Sequence, residues 1–436
     1  MLKEELKAKV CAAIDDALND IKKVAADIEA EPELGFKEFK TGSKVANYLR
    51  TLGLEPQEHL AITGVKARAK GGKSGPSIAV IGELDGIVCM DSPKADPLTG
   101  ATHSCGHNLQ IASMLAAATG MVKSGVMEEL AGDAVFIGVP AEEYVELAYR
   151  KRLIEEGKIH FLSGKGNFIY EGHLDDVDMA MMVHANGNLP GNEMLIGNTS
   201  NGFIGKTIRY IGKAAHAAAA PHEGINALNA AMLGLMGINS LRETFREQDI
   251  IRVHPIITQG GDLVNNVPSD VRIETYVRAK TMEAINKTHV KVDNALKGGA
   301  LAIGAEVEIE TLPGQLPLDC CEDLNQLFLS NAKNVEPELK VTAGVHFNAS
   351  TDMGDISHIM PAIHPYSGGN VGSLHTKNFA VTDFDKCVIL PAKAFAMSIV
   401  DLLYDDASCA KEILKTFKPI LTKEEYIKQM ESYFSK

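Results

Sequence analysis

Ile78-Ala-Val-Ile-Gly-Glu-Leu-Asp85 decides the fold. Four uncharged apolar residues leading through a glycine into Glu83 and Asp85 describe a strand covered on both faces, at the point where it runs out of its sheet. Two more stretches repeat the plan. Ala134-Val-Phe-Ile-Gly-Val139 leads into Glu142 and Glu143, and Met179-Ala-Met-Met-Val183 leads into His184. Helical segments separate the three runs, which predicts an α/β fold with a mostly parallel sheet. Sites in such sheets gather at the carboxyl ends of the strands, and each run here ends in a residue able to bind metal or move a proton. A further pair lies in the segment joining the first two runs, Thr102-His-Ser-Cys-Gly-His-Asn108. The Cys105 thiolate and the His107 imidazole suit zinc or another late divalent ion, and Gly106 lets the backbone turn so that both face one point.

Working outward, residues 4–29 place apolar side chains at helical spacing (Leu6, Val10, Ile14, Leu18, Ile21, Val24, Ile28), which predicts one amphipathic helix, and a second follows near Thr41 to Leu52. From about residue 199 the texture changes. A strand over Gly202 to Gly212, a helix over Gly224 to Phe245, strands over Ile250 to Thr258 and Val271 to Ala279, a helix over Met282 to Ile303 and a strand over Ala305 to Leu312 give the order β-α-β-β-α-β. This is the ferredoxin-like pattern. The expectation is therefore a larger domain in two parts, residues 1–198 and 312–436, with an α+β domain of residues 199–311 inserted between them.

Composition narrows the function. The 436 residues are 45% hydrophobic and 23% charged, as in a soluble globular protein. A formal charge of −14 argues against nucleic acid as partner, since such binding needs a basic face. The longest uncharged apolar stretch, Ile111 to Val122, is too short to span a bilayer, so no membrane partner is expected. The charged opening Met-Leu-Lys-Glu-Glu-Leu-Lys does not read as a signal peptide, and seven scattered cysteines suit a reducing compartment. The expected location is cytoplasmic.

Glu142 and Glu143 are the second strong feature. Neighbours in an extended loop point in different directions, so one can hold metal while the other faces a metal-bound water. Mutual repulsion raises one proton affinity toward the range of a general base. A metal that lowers the pKa of its water, beside a carboxylate that takes the proton, is equipped for amide hydrolysis.

The order Glu83-x-Asp85, Cys105-Gly-His-Asn108, Pro140-Ala-Glu-Glu143, His184, Lys213-Ala-Ala-His216, Asn266-Val-Pro268, Val277-Arg278 and His375 resembles the metallo-amidohydrolase and metallopeptidase family of aminoacylases and glutamate carboxypeptidases. Cys-Gly-His-Asn looks like its p-aminobenzoyl-glutamate hydrolase-like branch. The likeness spans about residues 20 to 405 and implies that the two-part domain is catalytic and that the insert is a lid and dimerisation domain. It implies two divalent ions, zinc or manganese, bridged by Cys105 and completed by His107, Glu143, His184 and His375. It also implies Glu142 as general base, Asp85 as an acid that orients a ligand, and His216 as the group steadying the tetrahedral intermediate, often across a homodimer formed through the insert. Asn266 and Arg278 would hold the substrate. Glu83 departs from the Asp or His common at its position, and the segment between Glu143 and His184, including Tyr149-Arg-Lys-Arg-Leu153, is longer than the family pattern. His103, His222 and His364 lie near motifs without an assigned part.

The expected substrate is a small N-acyl, N-aroyl or N-aminoacyl amino acid with a free carboxylate. A dipeptidase or carboxypeptidase with the same two-metal site is the alternative, and a non-catalytic metal-binding homologue is the alternative of another class. A thiol hydrolase using Cys105 as nucleophile would leave Glu143, His184 and His375 without a shared purpose.

Overall fold

The computed structural model describes residues 1–434. Two compact units emerge. One is formed by Met1–Thr199, Asp319–Val345 and Asp355–Lys423, the other by Ser200–Leu318, His346–Gly354 and the chain from Glu424 on.

In the first unit the helix expected over residues 4–29 is two helices, α1 (Lys3–Asp16) and α2 (Leu18–Glu29), broken at Ala17 with φ −93° and ψ 3°. Asp15 and Asp16 set two carboxylates at the negative end of α1, where they disfavour its continuation. Both halves bury an apolar face, Leu6, Val10 and Ile14 in one and Ile21, Val24 and Ile28 in the other, so the periodicity runs through the break. After α3 (Phe39–Thr51) come β1 (Gln57–Leu60), β2 (Gly64–Ala69) and β3 (Lys73–Glu83), then α4 (His107–Lys123), β4 (Ala131–Val139), α5 (Leu147–Glu155), α6 (Gly164–Tyr170), β5 (Met179–Met181) and β6 (His184–Ala185). The returning chain adds β7 (Ala362–Ile363) and the long helix α7 (Leu390–Thr416), which is interrupted at Tyr404 to Ala407.

The main sheet has the order β1-β2-β4-β3-β5-β7. The three apolar runs are its adjacent parallel centre: Glu83 pairs with Val139 and Val80 with Met181. At one side of the sheet β1 and β2 pair antiparallel. This register brings the ends of β3 and β4 level, so the segments carrying Asp85 and the Glu142-Glu143 pair leave the sheet side by side. The third run stops being part of this sheet at Met181. His184 instead opens β6, which pairs with Tyr366 in a separate four-stranded sheet.

Helix α4 is buried from His107 to Met121 and packs on β3, α1, α2 and α7. The stretch Asp385–Thr416 is long and apolar enough to cross a membrane by composition, but its most apolar window is 89% buried in the protein, which is the setting of a core helix.

The second unit has strands Gly202–Ile211, Arg252–Val253, Ile256–Gln259, Asp270–Ala279 and Glu306–Gln315, and helices Ala227–Leu241 and Met282–Ile303. Strand Asp270–Ala279 runs antiparallel between the 252–259 strands and Gly202–Ile211, with Glu306–Gln315 on the far side. The strand expected over 250–258 is split at His254-Pro255, because proline has no N–H to give the ladder. The last strand runs past Leu312 through Pro313, tolerated because this strand lies at the sheet edge. The unit accordingly extends beyond 199–311, to Leu318 and to His346–Gly354. Its two helices touch at glycines: a Cβ on Gly299 would fall 2.4 Å from the backbone nitrogen of Gly234.

Beneath helix Met282–Ile303 lies a buried charge. Lys206 Nζ, on the strand face under the helix, meets Asp293 Oδ1 at 2.7 Å and Thr311 Oγ1 at 2.8 Å. Burial pushes the Asp293 carboxyl up, but His289 and Lys206 outweigh it and hold the group below its ordinary value. A carboxyl depressed in the folded state stabilises above its unfolded pKa of about 4 and loses that contribution as pH falls through the folded value. Lys206→Met should therefore lower unfolding stability by about 2 kcal/mol at pH 7, and the gap from wild type should narrow as pH falls below about 4. Urea unfolding of both proteins across that range checks the sign.

Candidate metal centre

Gly106 caps α4 with φ 83°, a left-handed conformation, and a Cβ there would stand 2.9 Å from Ala185 Cβ. That turn sets Cys105 just before the helix and His107 on its first residue, both buried. Cys105 Sγ then lies 3.4 Å from His184 Nε2 and 3.2 Å from His375 Nε2. Cys105, His107 and His184 offer ligand atoms within 4.8 Å of one another, and so do Cys105, Glu143 and His375. The sulfur belongs to both groups. A third group of the same size joins Glu83, His107 and Glu142.

The imidazoles are oriented by their other nitrogens. His107 Nδ1 is 2.7 Å from the carbonyl oxygen of Asp85 and His184 Nδ1 is 2.7 Å from that of Ala185. A carbonyl only accepts, so each Nδ1 carries a proton and each Nε2 is the nitrogen turned toward the cluster. His375, with φ 61°, is tied by its backbone N–H to the Ser104 carbonyl at 3.0 Å and is the open member, its side chain 46% exposed.

The atoms this leaves over test the fit to a cation. His107 Nε2 is buried without a hydrogen bond although Glu83 Oε2 is only 3.1 Å away. Glu143 Oε1 is buried without one although His375 Nε2 is 3.0 Å away. Lone-pair atoms converging in a buried space, with a thiol among them, are a donor set for a divalent ion. The electrostatics agree. Burial and Glu143 work against the Cys105 thiolate, yet His107 and His184 outweigh both and bring it down to about 6. Burial lowers the proton affinity of His107, but Cys105 and Glu83 raise it further than burial lowers it. The cluster collects negative charge and calls for positive charge at its centre.

The carboxylate loop is held from three sides. Glu38 Oε1 accepts the Ala141 N–H at 2.8 Å, and Asp85 Oδ2 accepts the Glu143 N–H at 3.0 Å. Arg150, buried, donates to the carbonyls of Ala141, Leu162 and Glu143. Between these anchors Ala141 is kept at φ 54°, a left-handed conformation that costs a non-glycine residue about 1 kcal/mol. Burial, then Asp85, pushes the Glu38 carboxyl up to about 8. Glu142 Oε2 ends 3.9 Å from His107 Nε2.

The structure thus gathers Asp85, Cys105, His107, Glu142, Glu143, His184 and His375. His216 and Asn266 meet each other in the second unit, as facing residues of an isolated antiparallel bridge. His216 Nδ1 accepts from the N–H groups of Ala218 and Ala219 at 3.2 and 3.1 Å, so its Nε2 carries the proton. Arg278 is elsewhere. It stacks between Phe203 and Tyr276, 4.8 and 5.3 Å from the ring centres, and donates to Ser350 Oγ at 2.7 Å. His103 and His364 are buried, and burial brings both down to about 3; His222 is exposed.

Glu38, Gln110, Arg150 and Lys165 belong to no motif that the sequence displays. For Arg150 a signal existed, since Leu147, Arg150 and Leu153 form the buried stripe of α5 at helical spacing, and an arginine on such a stripe must have internal acceptors.

An α/β sheet whose parallel strands end in a cluster of thiolate, imidazoles and carboxylates, with a further acid beside the ligands, defines a metal-dependent hydrolase. Comparison with known proteins agrees. Residues 198–302 match the family described as the peptidase dimerisation domain. The chain is 27% identical to the Xaa-Arg dipeptidase of Mus musculus, over 97% of this chain and 95% of that one. It is 30% identical to one of the subunits of the p-aminobenzoyl-glutamate hydrolase of Escherichia coli, over 68% and 59%. A dinuclear metal-binding peptidase of Bacillus subtilis has the same fold, with TM-score 0.65, 21% identity and coverage of 88% and 98%. Residues 198–302 thus match a peptidase dimerisation domain and nearly the whole chain is similar to metallo-amidohydrolases and metallopeptidases; it is a hydrolase of amide or peptide bonds with a site suited to divalent metal.

Arg150→Lys should leave at least one of the three carbonyls unsatisfied, since one guanidinium nitrogen serves Ala141 and Leu162 and the other Glu143. Stability should fall by about 2 to 3 kcal/mol, and kcat should fall at least about tenfold with less change in KM, because the loop presenting Glu142 loosens. Denaturant unfolding and steady-state kinetics on one preparation check both parts.

Proposed function

We propose that this protein holds two divalent ions, for which Cys105, His107, Glu143, His184 and His375 would be the ligands, and hydrolyses the amide of an N-acyl, N-aroyl or N-aminoacyl amino acid. The observation that carries the reading is that one buried sulfur belongs to two ligand groups. His107 and His184 complete one group with it, Glu143 and His375 the other. The thiolate and three imidazoles favour zinc, with manganese the alternative. Bound there, the ions would polarise the scissile carbonyl and ease deprotonation of water.

The chain's own groups do the rest. Glu142, beside the ligands and held by its pinned loop, takes the proton from water and returns it to the leaving amine. Asp85 fixes both the His107 ring and the Glu143 backbone, and so acts by orientation. His216, with Nε2 protonated, is a hydrogen-bond donor suited to a developing oxyanion. Asn266 faces His216 across its bridge, and directly opposed residues share a face, so the pair can present amide and imidazole together.

Arg278 supplies the fork for a carboxylate. It lies eight residues along strand Asp270–Ala279 from Asp270, the end nearer Asn266 and His216, a span of about 26 Å at the usual strand rise. One amino acid with its scissile bond is far shorter. We therefore assign Arg278 and His216 of one chain to two different sites in a homodimer. Exposed Met232, Leu233 and Met236 on one helix and Ile256 and Ile257 on an edge strand of the same unit favour association through it.

A dipeptide is the second substrate reading, favoured by the mouse Xaa-Arg dipeptidase matching along nearly the whole chain. A release assay over N-acyl amino acids, p-aminobenzoyl-glutamate and dipeptides with basic carboxyl-terminal residues, run with zinc and with manganese, separates the two. Glu142→Gln should keep its metal and lose turnover by a factor of about 1,000 or more; near-normal turnover would remove Glu142 from the role of base. Chains carrying Arg278→Ala and chains carrying His216→Ala should each be inactive alone and should regain activity when mixed, since one site of the heterodimer then holds both wild-type groups. Heterodimers that form but stay inactive would place both residues in one chain's site.

A further inference from the structure

Glu83 stands outside the five ligands that the family resemblance implies, yet its carboxylate ends among them. It is fully buried at the end of β3. Lys165 Nζ, equally buried, meets Oε1 at 2.5 Å, and Gln110 Nε2 donates to Oε2 at 2.9 Å while Gln110 Oε1 accepts the Glu83 N–H at 3.2 Å. These contacts alone would describe a closed internal ion pair. The remaining contact does not fit that description. His107 Nε2 lies 3.1 Å from Oε2 with its Nδ1 turned to the Asp85 carbonyl, and the contact lacks hydrogen-bond geometry. A proton held between two such atoms would need that geometry, and a cation between them would not. In the other group Glu143 Oε1 is likewise buried without a hydrogen bond, 3.0 Å from His375 Nε2. Two atoms each bound at about 2.0 to 2.1 Å to one ion, at angles between 90° and tetrahedral, stand about 2.9 to 3.4 Å apart, so both pairs are spaced as co-ligands.

We propose that Glu83 is a further metal ligand, sharing one ion with His107, and that Lys165 and Gln110 are positioning residues that hold its carboxylate in place. The inference rests on the two-ion reading above. Lys165 balances a carboxylate that would otherwise lie buried near the Cys105 thiolate and Glu142, and Gln110, on the turn of α4 after His107, fixes the oxygen that faces the imidazole.

Zinc affinity, measured by competition with a chromogenic chelator, tests this without reference to activity. Glu83→Gln alone would strand the Lys165 charge, so the informative variant is Glu83→Gln combined with Lys165→Met, which removes both charges at nearly constant volume. Wild type should bind two zinc ions. The double variant should melt cooperatively, bind one ion as wild type does and bind the other at least about 100-fold more weakly, beyond the range of a lost supporting contact. Lys165→Met alone should keep both ions, because the carboxylate remains. Double-variant affinities both within about threefold of wild type would overturn the inference and leave the two-ion reading standing, and so would Lys165→Met losing the ion as completely as the double variant. A wild-type protein that binds no zinc or manganese would overturn the two-ion reading and this inference with it.

Discussion

Three consecutive residues, Ala141 to Glu143, carry the paired carboxylates of the site, and almost nothing about their conformation is intrinsic. The backbone is pinned by Glu38 at one N–H, by Asp85 at another and by Arg150 at two carbonyls. An alanine at φ 54° does not stay there unaided. Each clamp comes from a distant part of the sequence, so the loop is correct only when α3, β3 and α5 are all in place. Local order at the acid is therefore a property of the whole first unit.

Asp85 is central to that network for a second reason. The same residue touches the loop and the His107 ring, so an imidazole of the cluster and the neighbouring carboxylates are set by one anchor. Gly106 does the complementary work on the other side by letting Cys105 and His107 leave the helix start in the same direction. A site built this way is rigid at its buried end. It is open at His375, on a loop with its ring half in solvent.

What was legible in the sequence followed from chemistry that is local. Apolar runs ending in acids became adjacent parallel strands, because a strand buried on both faces has no other composition open to it. The β-α-β-β-α-β order of the second unit was readable for the same reason, apart from the break at Pro255. The break at Ala17 in the first unit escaped because both helices bury the same kind of stripe. Cys105, His107, Glu143, His184 and His375 were found by motif, and the structure gathers them. Arg150 and Lys165 were not, because a positive charge reads as surface until its buried acceptors are known. The wide separation of Arg278 from Asn266 was equally invisible, since a motif order carries no lengths in space.

Strand Asp270–Ala279 acts as a ruler with a tick of two residues. Its even-numbered members, from Asp270 to Arg278, are the half-exposed face, and its odd-numbered members are buried. Losing or gaining one residue between the ends would send the Arg278 guanidinium into the apolar side. A change of two would keep the face but move the arginine by about 7 Å relative to Asn266. The length of this strand is thus free to drift neither by one nor by two. Tolerance to insertions in this unit should be sought in its loops, where spacing carries no such parity.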